Sequence, residues 1–169
     1  MPAKSPSAVL LAILLGATAP CAVAAQPAVW GWIEQASLMP ENVRLKARLD
    51  TGVQTSVMDV RNIRRIRKNK QRWVQYDIQV RDAGTGRVIR LPFERPVERV
   101  LRVSGVGGSE RRPVVSMDIC LGNKIYREQF ALRDREPADI GLLIGRRALE
   151  HIGAVDASKT MTVAPTCKP

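Results

Sequence analysis

Asp50, Thr51 and Gly52 are the residues of this chain best suited to do chemistry. A carboxylate can take or give a proton, and it does so usefully when a rigid scaffold holds it at a cleft. The residues before it alternate. Val43, Leu45, Ala47 and Leu49 are apolar, while Arg44, Lys46 and Arg48 are charged. A period of two predicts a half-buried strand that ends on the acid. Gly52 then admits a tight turn. Alone, the tripeptide reads as an ordinary turn, because Asp, Thr and Gly all favour turns. Its weight comes from what stands further along.

Other chemistries find little support. His151 is the only histidine, and no HExxH or CxxC occurs, so no metal site is expected. A serine or cysteine triad would have to use His151, and no nucleophile stands in a recognisable elbow. His151 falls in a segment that reads as a short helix, where a surface or capping role is the simpler expectation.

The chain has 169 residues and is 45% hydrophobic, enough for one domain with a core. Residues 1–25 read as a secretory signal peptide. Lys4 supplies the positive start, residues 8–19 are apolar but too short to span a bilayer, and Ala22, Val23, Ala24 and Ala25 suit cleavage. No second apolar stretch long enough to cross a membrane follows. The expected mature domain is residues 26–169, periplasmic or secreted from a bacterium. Loss of Lys4 takes the formal charge from +11 to +10. Cys120 and Cys167 remain. In an oxidising compartment they form either a disulfide or two buried thiols, and spacing does not decide between them.

Residues 61–72 carry Arg61, Arg64, Arg65, Arg67, Lys68, Lys70 and Arg72. The simpler expectation is a solvated basic loop. The functional one is a patch for an acidic substrate or a cell-envelope anion. Nucleic acid is not an expected partner, since Trp73 alone offers little stacking and no binding fold is recognisable.

The elements that must position Asp50 are short strands. Residues 30–38 predict the first, residues 39–42 a turn, and residues 53–58 a strand after Gly52. Residues 73–80 and 87–91 predict a hairpin across Ala83, Gly84, Thr85 and Gly86. Residues 97–103 predict another strand. Val106, Gly107 and Gly108 then stand at a Gly-rich hairpin tip, which reads either as a plain loop or as a flap over a cleft. Residues 114–121 and 125–132 predict strands joined at Gly122-Asn123. Residues 140–144 form a buried apolar run into the Gly145-Arg146 corner, with a short helix over 146–151 and a last strand over 160–163. Many short strands, several hairpins and one helix predict an all-β, closed or partly closed barrel.

Asp50-Thr51-Gly52, a Gly-rich hairpin, and Leu143-Ile144-Gly145-Arg146 opening a short helix occur in the order found in retropepsins, the single-lobed aspartic peptidases of retroviral type. The stretches LKARLDTGVQTS (45–56), SERRPVV (109–115) and LLIGRRAL (142–149) resemble more closely a bacterial retropepsin-like family often labelled ATP-dependent zinc protease. The zinc of that label finds no ligand set in this sequence. The resemblance implies a retropepsin-like barrel with one short C-terminal helix. It also implies peptide hydrolysis with no cofactor, by a water held between two carboxylates that share a proton. One Asp-Thr-Gly in one lobe implies a two-fold homodimer with Asp50 of each subunit at the axis.

By the same resemblance, Asp50 is the acid/base, Thr51 ties the two loops, and Gly52 admits the substrate backbone. Val106, Gly107 and Gly108 form the flap, and Gly145 and Arg146 brace the active-site loop. Val53 and Gln54 stand where the retroviral enzymes have alanine and an acid. The 95-residue separation of Asp50 from Gly145 is also much longer than theirs, with the added length expected in the basic stretch and the hairpin after it. The substrate is a peptide or protein, and links of related bacterial proteins to glutamate ligases suggest an acidic one. A second reading is a catalytically inactive module of the same fold that binds an acidic peptide or an envelope partner through its basic surface.

Overall fold

The structure, a computed structural model, describes residues 28–81, 88–105, 108–136 and 139–168. The leader expected at 1–25, the turn at Ala83–Gly86 and the tip residues Val106 and Gly107 lie outside them.

The elements in chain order are β1 (Val29–Met39), β2 (Val43–Asp50), β3 (Ser56–Lys68), β4 (Gln71–Arg81), β5 (Val88–Pro96), β6 (Arg99–Gly105), β7 (Gly108–Leu121), β8 (Lys124–Asp134), β9 (Leu142–Gly145), α1 (Arg146–Ile152) and β10 (Ala154–Thr160). Six strands close a barrel in the order β1-β2-β9-β3-β8-β7, and β7 returns to pair with β1. Closure removes the unpaired edges that an open sheet would expose. The all-β barrel with a single short helix is therefore the observed fold.

Alternation fills the barrel. In β2, Ala47 and Leu49 point inward and are buried, while Arg44, Lys46 and Arg48 point out. Met58, Val115, Ile119, Phe130, Leu142 and Ile144 complete the same core. β9 lies between β2, to which it runs parallel, and β3, to which it runs antiparallel. It is buried on both sides, which explains its uniformly apolar Leu-Leu-Ile run.

The basic stretch expected as a loop is instead strand. β3 leaves the barrel after Val60 and continues as an outer ribbon with β4 and β5. Its charges alternate with Ile63 and Ile66, and the face it shares with β4 and β5 packs Val74, Tyr76, Ile78 and Phe93 into the core. Tyr76 and Phe93 stack at 5.8 Å, and the buried Tyr76 hydroxyl donates to Met117 Sδ at 3.2 Å, tying ribbon to barrel. The charge density disguised a period of two.

The last strand also differs. It is Ala154–Thr160, parallel to β1, and residues 161–168 contain none. The composition of 154–160 is poor in strand formers because β10 is an exposed edge that buries little. Beyond it, the N–H groups of Thr162 and Val163 bond to the Glu34 carboxylate rather than to a strand. Cys120 and Cys167 are joined in a disulfide that holds the end of this segment.

Candidate functional site

Asp50 is the last residue of β2, paired in register with Gly145, the last residue of β9. Two parallel strands thus deliver the acid and the Gly-Arg corner to the same end of the barrel. The Asp50 side chain is 27% exposed. Its Oδ1 accepts the Gly52 N–H at 2.9 Å, so the carboxylate is fixed by the turn that follows it. A Cβ on Gly52 would stand 3.2 Å from that oxygen, a tight contact that glycine avoids. Arg48 lies two residues back on the same face of β2, with Nη2 3.3 Å from Asp50 Oδ2. Both groups are partly exposed, so the pair is worth only about 0–1 kcal/mol.

The loop 51–55 is clamped from the other side. Arg146 N–H donates to Val53 O at 2.7 Å and Arg147 N–H to Gln54 O at 3.2 Å. Gly145 N–H donates to Ser56 Oγ at 3.0 Å, and the Arg146 guanidinium donates to Thr51 O at 3.3 Å. Arg146 therefore uses a backbone carbonyl of the loop, which needs no acid at position 54. Gly145 has no room for a side chain. A Cβ there would meet Val53 O at 2.8 Å and Thr55 C at 2.9 Å. Gly145→Ala is expected to push the loop off the corner and cost about 1–3 kcal/mol. Thermal denaturation reads the cost, and a Tm equal to the parent's would show that the clamp is loose.

An open depression of about 370 Å³ sits over Asp50, walled by Trp32, Arg48, Thr51, Val155 and Ala157. Trp32 is a half-exposed aromatic ring at this wall. Sequence reasoning missed Trp32, Val155 and Ala157, since they reach the site through β1 and β10, whose pairing is long-range. Arg48 was legible in principle: residue i−2 on a strand must share the face of Asp50. β6 and β7 form a hairpin that closes at the pair Gly105 and Gly108. The base of this hairpin meets the loop after Asp50, where Arg99 Nη2 lies 3.5 Å from Thr55 Oγ1 and Arg99 Nε 3.1 Å from Gln129 Oε1. Of the three expected flap residues, only Gly108 is described, and it is exposed with φ +112°.

Metal ligands do not assemble. Among the described residues no group of three or more His, Cys, Asp or Glu side chains could hold an ion. His151 bonds to Glu128, and Cys120 and Cys167 are bonded to each other. The residues present do not fit a zinc centre.

The RimB-like family model, described as the retropepsin-like aspartic endopeptidase RimB, matches residues 29–166. A probable alpha-L-glutamate ligase of Shewanella pealeana is 28% identical over 116 residues, covering 69% of this chain and 25% of that protein. Another, of Desulfotalea psychrophila, is 29% identical over 107 residues, covering 62% and 22%. The chain thus spans about a quarter of the length of the curated relatives it matches. Among solved structures, a Legionella pneumophila protein of unknown function (DUF785) is similar at 30% identity and TM-score 0.66, covering 80% of this chain and 97% of that one. With most of the chain matched and the corner and the Asp-Thr-Gly turn joined at one barrel end, this protein belongs to the RimB-like family of retropepsin-like aspartic endopeptidases.

Proposed function

We propose that the chain is an exported aspartic endopeptidase that works as a homodimer. Asp50 of each subunit faces its counterpart across a two-fold axis, with the attacking water between them. Two like charges about 3 Å apart do not both ionise, so the pair holds one proton. The ionised carboxylate takes a proton from water as it attacks the peptide carbonyl, and the neutral one gives its proton to the carbonyl oxygen. Thr51 ties the two loops at the axis, Gly52 admits the substrate backbone, and Val106, Gly107 and Gly108 cover it. Gly145 and Arg146 hold the loop in place.

The observation that carries this reading is the fixed, part-exposed Asp50 carboxylate on a loop clamped by the Gly145-Arg146 corner. One carboxylate per chain makes a second copy necessary for the chemistry. Export is supported by the reading of residues 1–25 and by a disulfide, a bond that persists in oxidising compartments. The substrate is proposed to be a peptide with acidic residues. Arg48 beside Asp50 and the formal charge of +11 favour one, and relatives are named probable alpha-L-glutamate ligases.

Cleavage of a peptide library by the chain without residues 1–25, read by mass spectrometry from acid to alkaline pH with molar mass taken on the same samples, tests the proposal. Cleavage is expected to follow the dimer and to peak between acid and near-neutral pH. Full activity well above pH 8, or activity that stays with a monomer, would overturn the shared-proton mechanism.

A further inference from the structure

The outer ribbon and the β6–β7 hairpin face each other across a cleft that the Asp50 chemistry does not use. In the ribbon, Arg67 stands directly opposite Arg72, and Arg65 stands opposite Val74. Residues i and i+2 of a strand share a face, so Arg65, Arg67 and Arg72 lie together. In the other hairpin, Arg102 stands directly opposite Arg111, one step along from the opposed pair Val100 and Pro113. Val100 and Pro113 wall the cleft, together with Ile66, Trp73 and Val97. Its volume is about 260 Å³. Arg65 Nη2 donates to Arg111 O at 2.8 Å, joining the two hairpins.

Like charges directly opposite on neighbouring strands repel. Here two such pairs converge on one cleft. Among the described residues none of the five arginines has a carboxylate within ion-pair distance. Their neighbours show that pairing was available: Arg95, on the same ribbon face, holds Glu41, and Arg112 holds Glu110. The five guanidiniums are therefore left free around an apolar floor.

We propose that this cleft is a docking site, separate from the Asp50 depression, for an extended acidic peptide segment. Carboxylates of the segment neutralise the facing arginines, which match such groups with paired N–H donors. Alternate side chains of an extended chain recur every ~6.8 Å. That is also the spacing of Arg65 to Arg67 along β3, so carboxylates on one side of the peptide meet successive arginines. Apolar side chains of the peptide cover Ile66, Val97 and Val100. Trp73 in the wall keeps a buried indole N–H with no acceptor among the described residues, a donor that a bound carbonyl would satisfy. The concave shape disfavours a flat bilayer. Stacked bases are disfavoured too, because Lys68 lies over the Trp73 ring at 5.3 Å.

The test uses Asp50→Asn chain, so that no peptide is consumed. A fluorescent decapeptide alternating glutamate and leucine is titrated by anisotropy, beside its glutamine counterpart and phosphatidylglycerol vesicles. The triple variant Arg67→Ser, Arg72→Ser, Arg102→Ser leaves the Arg65 bridge intact. The control, Arg44→Ser, Arg90→Ser, Lys168→Ser, removes the same charge from β2, β5 and the C-terminal segment. The acidic peptide is expected to bind at least about tenfold more weakly to the cleft variant. It should bind the control within about threefold, the share left to long-range charge. The glutamine peptide should bind the parent at least about tenfold more weakly. Relief of repulsion should leave the Tm of the cleft variant, without peptide, equal to or above the parent's. Equal weakening in both triples would overturn the proposal, as would vesicle binding in place of peptide binding, or a lowered Tm.

Discussion

Asp50→Asn is expected to abolish peptide cleavage, lowering kcat/KM by at least about a thousandfold, with almost no change in stability. Asparagine has the shape of aspartate and keeps an oxygen for the Gly52 N–H, so the turn survives. What it loses is the ability to ionise and to carry a proton. The Arg48 contact goes too, but between two part-exposed groups it is worth about 0–1 kcal/mol. Activity and stability should thus separate. The dimer sharpens the expectation: mixing parent and variant chains gives heterodimers with one aspartate. These should be inactive, so added variant poisons the parent beyond simple dilution. Cleavage assays on purified variant and on defined mixtures, with Tm beside them, decide it. Retained cleavage in the pure variant would remove Asp50 from the chemistry.

What the sequence disclosed, it disclosed through local pattern. Alternation from Val43 to Leu49 placed β2, and the apolar run before Gly145 placed β9. Those two strands bring the acid and the corner together. Where pattern met charge it failed. Seven basic residues between 61 and 72 read as a loop, although their spacing with Ile63 and Ile66 was that of a strand; cross-strand partners, not propensity, make that ribbon. The strand at 154–160 was invisible for the opposite reason, since an exposed edge buries too little to leave an apolar signature. The arrangement of Trp32 beside Asp50 needed the pairings of β1 with β2 and β10. No local signal encodes pairings between residues so far apart.

Glu34 gives the largest expected loss of stability. It sits in β1 at 0% exposure, a position where a carboxylate is rarely tolerated without full pairing. Its Oε1 accepts the Gly31 N–H at 2.7 Å, the Thr162 N–H at 3.1 Å and the Thr162 hydroxyl, and its Oε2 accepts the Val163 N–H at 3.3 Å. Glu34 is thus the inner anchor of residues 161–168, whose outer anchors are the Cys120–Cys167 bond and the Thr166 N–H to Gly122 O contact. Truncation by Glu34→Ala removes the only listener to four donors and opens a void. Unsatisfied buried donors cost about 1–3 kcal/mol each, and partial hydration of a freed segment reduces the sum. The expected loss is about 3–5 kcal/mol, or a Tm lower by about 10 °C. Glu34→Gln keeps an oxygen for the three contacts of Oε1 and turns an amide against Val163, so it should lose less than half as much. Hydrogen exchange should rise at Thr162 and Val163 in both variants and remain slow at Thr166, which the disulfide still holds. A Tm for Glu34→Ala within 2 °C of the parent, roughly 1 kcal/mol at this size, would mean the segment is held by its outer anchors alone.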